Sequence, residues 1–392
     1  MRQGTSTGHF FQTDAEQALA ERRAAKASNE NGKPVVLKSK LLAAIRDPSA
    51  PNSLLVAEST GSVRRVDVDS GDTKHVFKGP SAPVTCVAVG GPGNRTVFAG
   101  SWDKDVWSWD LETKALSRKF SGHADFVKAV ICARIGSKDY LISGGADKKI
   151  IVWDIETGSR IHTIQDQTVS MMALQALAID PLESTPDALV LVSASSDPHI
   201  RRWRITANTV EQIKESEPGE PNSVRHSILE HETTVYKLSF DVEGEDVDLW
   251  TASGDGTAKC LSRQRGFTTE ETIKHGDHVR AVAVVEQWII TTGRDEDVKV
   301  WSRSTGKLYC TLEGHYNEVT DLVVLDGGDR VTSVSIDGTV RTWVLHKDEL
   351  DKINKEKADK DNGIVEETPA ESGEGLMTLE EEAELAALMD DD

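Results

Sequence analysis

The chain has 392 residues, 38% of them hydrophobic and 28% charged, and a formal net charge of −20. That acidity argues against nonspecific binding to nucleic acid and against adhesion to anionic membranes. Cys86, Cys132, Cys260 and Cys310 stand far apart with no CxxC pair, which excludes a zinc or dithiol motif of that kind and predicts buried thiols in a reducing compartment.

At the start of the chain, MRQGTSTGHFFQ lacks the apolar core of a secretion signal, and Asp14, Glu16 and Glu21 speak against a mitochondrial presequence. No run approaches the length of a membrane span. A cytoplasmic or nuclear protein is expected, in which the triplet Asn94-Arg95-Thr96 is a chance match to a glycosylation signal. Thr13 and Glu16 have capping-box spacing ahead of an alanine-rich stretch. This predicts a short helix from about Thr13 to Ala27 within an N-terminal extension, residues 1–33, either resting on the main domain or loose. PVVLKSK (34–40) reads as a strand with no obvious unit of its own.

From there the chain repeats itself. GGADKKIIVWD (144–154), GRDEDVKVWS (293–302) and SIDGTVRTWV (335–344) are one pattern: a small residue, Asp, polar turn residues, and a β-branched run ending in Trp. The Asp-like and Trp-like positions stand six apart at Thr60/Val66, Asp103/Trp109, Asp147/Trp153, Asp197/Trp203, Asp255/Leu261, Asp295/Trp301 and Asp337/Trp343. Successive spacings are 43, 44, 50, 58, 40 and 42, close to the period of four-stranded propeller blades. Asp suits a tight turn, and runs such as KIIVW suit a half-buried pleated surface. The polar connection 205–230, with Pro218 and Pro221, accounts for the longest interval and reads as a solvated loop.

Residues 351–392 carry 15 acidic and 4 basic side chains, more than half of the chain's net charge. The stretch 347–376 has the composition of an acidic disordered linker. In MTLEEEAELAALMDDD (377–392), Thr378 and Glu381 have capping-box spacing. Leu385, Leu388 and Met389 share a helical face, with Leu379 alongside. This predicts an acidic amphipathic helix that docks into a partner's apolar groove with a basic rim, or a tail that only solubilises.

With Gly122-His123, His275 and Gly314-His315 placed ahead of their strands, the repeats resemble WD repeats over roughly 35–346. The resemblance implies an all-β, seven-bladed β-propeller of four-stranded antiparallel blades (domain 34–346), with short helical or disordered termini. It implies buried tetrads His123/Ser143/Asp147/Trp153, His275/Thr291/Asp295/Trp301 and His315/Ser333/Asp337/Trp343. The fifth unit keeps His231, Thr251 and Asp255 but has Leu261 for Trp; Ala99 replaces the second unit's Ser, and no His precedes the first, second or fourth units. Blades 1, 2, 4 and 5 are therefore expected to rely more on apolar packing. An open ring would expose a sheet edge, so the strand 34–40 is expected to close it as the outer strand of the last blade.

In that family partners typically bind the face carrying the turn Asp residues. The residue after each inner strand's first apolar position is expected there, which gives Thr85, Lys128, Gln175, Lys237, Arg280 and Thr320. The residues before the turn Asp add Trp102, Arg294 and Ile336, with Phe126 and His278 nearby. Cations beside aromatics on an acidic protein point to an acidic or phosphorylated peptide as ligand, against ordinary surface charge.

The implied function is a non-catalytic scaffold or adaptor for other proteins, without cofactor or metal. Alternatives are a ubiquitin-ligase substrate receptor, disfavoured because no Trp-Asp-x-Arg follows a blade, and a ribosome-assembly or chromatin factor. An enzyme ranks last: GxSxG, P-loop, HExxH and EF-hand patterns are missing, and DVDSGD (67–72) falls at an outer turn like DIETG (154–158).

Overall fold

Short β-branched runs alternate with turn residues along every repeat, and the blades they build are antiparallel sheets of four strands, with a short fifth in blade 4. The structure, a computed structural model, describes residues 14–361 except 167, 218–219 and 243–245. The chain divides into two units, 1–350 and 351–392.

The first unit is a seven-bladed propeller. Its inner strands are Leu41–Arg46, Val84–Gly90, Val127–Ile135, Leu174–Ile179, Val235–Phe240, Val279–Val284 and Val319–Leu325, for blades 1 to 7 in order. Each packs against the inner strands of the neighbouring blades, the seventh against the first. The core lies between blades: Ile142, Ile150 and Val152 of blade 3 join Leu174, Leu191 and Trp203 of blade 4 in one apolar cluster.

The ring closes as the edge argument requires. Val35–Val36 pairs antiparallel with Thr339–Val344 as the outer strand of blade 7. Leu37, Leu41 and Leu54 pack with Val323, Leu325 and Val340 across the seam. Gly338 makes this possible: its φ is +82°, and a Cβ there would lie 2.7 Å from the carbonyl oxygen of Leu37.

Helix α1 (Asp14–Ala27) precedes the ring. Arg23 pairs with Glu296 at 2.7 Å and Lys26 with Asp297 at 2.9 Å, so the helix rests on the turn of blade 6. Beyond it, Arg341 is buried and donates to Asn29 Oδ1 at 2.8 Å and to the carbonyl of Asn31.

Two expectations are corrected. The connection 205–230 is not a featureless loop: it forms the outer strand Val210–Gln212, a ribbon pairing Glu215–Glu217 with Glu220–Arg225, and a short strand Ile228–Leu229 on blade 4. The stretch 347–376 is not linker throughout, because Lys347–Asp361 forms helix α2, with Asp348 and Glu349 in its first turn where they suit the helix dipole. Its five lysines and two glutamates are good helix formers even without an apolar stripe. The helix expected at 377–392, with Leu379, Leu385, Leu388 and Met389, lies outside the described residues.

Candidate functional site

Every inner strand carries the same irregularity. The register skips one residue near the strand's start, between Val127 and Ala129 in blade 3 and at the equivalent place in the other six. Such a bulge leaves one residue out of the ladder and re-aims its side chain. The skipped residues are Leu42, Thr85, Lys128, Gln175, Tyr236, Arg280 and Thr320; of these, Thr85, Lys128, Gln175, Arg280 and Thr320 are the expected face positions, and Leu42 is an addition from blade 1. Blade 5 is a correction: its bulged residue is Tyr236, and Lys237 stands one place deeper, paired with Ala252.

The skipped residues line one end of a central cavity of about 490 Å3, together with Trp102, Lys237, Asp321 and Ile336. Trp102 and Phe126 stack face to face on this side, centroids 5.0 Å apart at 15°, although 41% and 38% exposed. Phe126 is held by its own carbonyl, which accepts from the Ala146 amide in the blade 3 turn. Arg294 and His278 share the blade 6 rim, the Arg294 amide donating to the His278 carbonyl at 3.1 Å; Arg294 is exposed and His278 half-buried. Phe126, His278 and Arg294 do not line the cavity.

The cations are not equivalent. Lys237 Nζ lies 2.6 Å from Asp321 Oδ1, joining blade 5 to blade 7. Arg280 lies over the Tyr236 ring at 4.2 Å, and its Nε sits 3.0 Å from Glu318, in ion-pair range but poorly angled for a hydrogen bond. Lys128 has no hydrogen-bond or ion-pair partner among the described residues. Burial, and then the charge of Arg280, pull its ammonium below the ordinary lysine value.

The recurring histidines are committed elsewhere. His123 reaches Asp147 at 2.9 Å and Ser143 at 2.8 Å, and the Trp153 indole N–H donates to the same Ser143 oxygen at 2.8 Å. His275 with Thr291, Asp295 and Trp301, and His315 with Ser333, Asp337 and Trp343, repeat this. His231 holds Asp255 and Thr251, whose hydroxyl donates to the Lys259 carbonyl; Leu261 offers it no indole N–H to accept.

The expectation that blades 1, 2 and 4 rely on apolar packing is corrected as well. In blade 4 the buried Arg201 donates to Asp166 at 2.6 Å and to the turn Asp197 at 3.1 Å, while Trp203 donates to Ser193. In blade 1 the buried Glu58 accepts from Ser39 and Arg64. In blade 2 the turn Asp103 accepts from the Trp107 indole at 2.8 Å, and Trp109 donates to the Lys78 carbonyl.

Among the described residues no cluster of side chains has the make-up to hold a metal ion, and no helix is long and apolar enough to cross a membrane. Cys86, Cys132, Cys260 and Cys310 are unbridged, and burial pushes the first three thiols up to about 12.

Comparison with known proteins agrees with this architecture. The family "WD domain, G-beta repeat" matches residues 71–110 and 306–343. The family "tRNA methyltransferase TRM82 WD40 domain" matches 118–247. A WD repeat-containing protein of Schizosaccharomyces pombe is 28% identical over 99% of this chain and its own full length. Nuclear distribution protein nudF of Aspergillus niger is 26% identical over 70% of this chain and 61% of its own length. A WD repeat-containing protein 26 homolog of Arabidopsis thaliana is 25% identical over 77% of this chain and 41% of its own. With seven closed blades, the repeat matches and the histidine tetrads, the chain belongs to the WD-repeat β-propeller family.

Proposed function

We propose that this propeller is a non-catalytic adaptor that grips partner proteins on the face around the mouth of its central cavity, through an acidic or phosphorylated peptide. One observation carries the reading: Lys128, an unpaired and partly desolvated ammonium, lies in a concave mouth rimmed by the exposed Trp102–Phe126 stack. A buried cation without a counter-ion is costly alone and is repaid by an incoming anion. Exposed aromatics on a rigid ring are typical interface anchors. The tetrad histidines and aspartates serve the blades, which favours binding over acid–base chemistry. The acidic segment 377–392 is proposed as a second contact, for an apolar groove with a basic rim on a partner.

The test compares proteins co-purifying with the full chain and with a Trp102→Ala, Lys128→Glu variant of unchanged melting temperature. Loss of a defined set, reproduced by direct binding of its purified members, supports the reading; identical sets overturn it.

The match over 118–247 favours a second reading, in which the propeller is the companion subunit of an RNA methyltransferase. Methyl transfer to tRNA by the co-purified fraction, and not by the chain alone, would support it.

A further inference from the structure

We infer that the channel mouth reads a peptide carboxylate, from Asp or Glu, together with an apolar side chain about two residues away, and discriminates against phosphate. This rests on the acidic-peptide reading above and narrows it. The first observation is a charge count. Lys128, Lys237 and Arg280 face Asp321 and Glu318 in and around the mouth, and two of the cations are already matched: Lys237 by Asp321 at 2.6 Å and Arg280 by Glu318 at 3.0 Å. Among the three cations that line the cavity this leaves one unmatched, Lys128. A single carboxylate neutralises it. A phosphorylated side chain, carrying nearly two charges at neutral pH, would leave one uncompensated unless Arg280 gave up Glu318.

The second observation concerns donors. Arg280 makes no hydrogen bond among the described residues: its Nε is buried and misaligned to Glu318, and its two terminal nitrogens are the donors left for a ligand beside Lys128. One ammonium and one guanidinium edge suit the two oxygens of a carboxylate. The third is spacing: Phe126 stands just ahead of the inner strand that begins at Val127, two residues before Lys128, about 7 Å in extended chain. An extended ligand would therefore place an apolar side chain on the Trp102–Phe126 stack when its carboxylate, two residues along, meets Lys128.

The test uses the full chain and three oriented peptide libraries that differ only in one fixed residue, Glu, Gln or phosphoserine, with flanking positions degenerate. Wild type is expected to retain the Glu library about tenfold over Gln, as one charge-assisted contact allows, to select apolar residues two positions from Glu, and to favour phosphoserine no more than Glu. Lys128→Met, which removes a half-buried, unpaired charge and so should fold, is expected to lose the preference for Glu over Gln. Trp102→Ala should lose only the apolar selection. Glu318→Gln frees the second charge and is expected to move the preference about tenfold toward phosphoserine. Preference of the wild type for phosphoserine, or an unchanged preference in Glu318→Gln, overturns carboxylate selectivity while leaving the acidic-peptide reading standing. Retention of no acidic library overturns both.

Discussion

Lys237 and Asp321 meet at 2.6 Å, a lysine of blade 5 and an aspartate of blade 7 at the same depth of their inner strands. The equivalent residue of blade 6 between them is Ala281, small enough to let the pair pass over it. Asp321 also accepts from the Ala44 amide of blade 1 at 3.2 Å, so the carboxylate ties blades 5, 7 and 1 together. Lys237→Met leaves that carboxylate largely buried and unpaired, and is expected to cost about 1–3 kcal/mol. The double variant Lys237→Met, Asp321→Asn should recover part of the loss. Denaturant midpoints of the two singles and the double measure the coupling; strict additivity would show the pair to be an incidental contact.

Blade 4 makes the same argument more sharply. Arg201 and Asp166 are both buried, and Arg201 also holds the turn Asp197. Arg201→Met strands two carboxylates and is expected to lower stability by about 3–5 kcal/mol, whereas Arg201→Met with Asp166→Asn should lose less. Equal midpoints for single and double variants would remove this network from the account of blade 4.

The tetrads predict a ranking among hydroxyl deletions. Ser143 accepts from Trp153 and also bonds His123, so Ser143→Ala leaves two buried polar groups without a partner and is expected to cost about 2–4 kcal/mol. Thr251 serves His231 but no indole, because Leu261 replaces the Trp. Thr251→Val should therefore cost about half as much. Thermal denaturation under one buffer condition tests the order, and a larger loss for Thr251→Val would contradict it.

These cases show what the sequence carries and what it hides. The complete tetrads are legible because each is a fixed pattern within one repeat, and the six turn Asp residues are legible because turns tolerate few residues. Asp166–Arg201 is not: the two stand 35 residues apart, and no spacing rule says that an arginine takes over from histidine. The exchange of Tyr236 for Lys237 has a different origin. The bulge falls one residue after the strand's first residue in every blade, but the aromatic Tyr236 extends the apolar start of this strand, so a count begun at the tyrosine lands one place too deep. The partners of the face cations, Glu318 and Asp321, come from another blade, so only closure of the ring reveals that two of the charges are spent.

Acid should unfold the ring through its tetrads. Burial alone would raise Asp147, Asp255, Asp295 and Asp337, but the hydrogen bond and charge of the facing histidine, together with further donors such as the Ala124 amide, Thr257, Lys299 and Thr339, more than offset it, holding all four below the ordinary 3.8 and Asp295 at about 2. The stability they confer is complete above 3.8 and lost as pH falls through the lower folded values. His315 is pulled below its ordinary 6.5 by burial, so the unfolded chain takes up its proton first and stability falls as pH drops below 6.5. Both effects share a sign. Melting temperature should decline gently below 6.5 and more steeply below 3.8, and His315→Gln should flatten the gentle part. A melting temperature that rises between pH 7 and 5 would refute the assignment.

Closure of the ring gives the last expectation. Val35 pairs with Val340 and Val36 with Thr339, and the Thr342 amide donates to the carbonyl of Gly32 at 2.7 Å, so residues 32–36 cover the outer edge of blade 7. Gly32 has φ +68°, and a Cβ there would sit 3.0 Å from the Trp343 ring, the tetrad tryptophan of the same blade. A chain beginning after Val36 loses this cover and leaves Thr339–Val344 as an open edge, a template for pairing with other chains. It is expected to form concentration-dependent aggregates, measurable by light scattering at temperatures where the full chain stays monodisperse. Gly32→Val should weaken the same seam through strain in the left-handed conformation and contact with Trp343, lowering the melting temperature without removing the strand. If the truncated chain is as monodisperse and as stable as the full one, the N-terminal strand is an ornament of blade 7 and the edge is protected by other means.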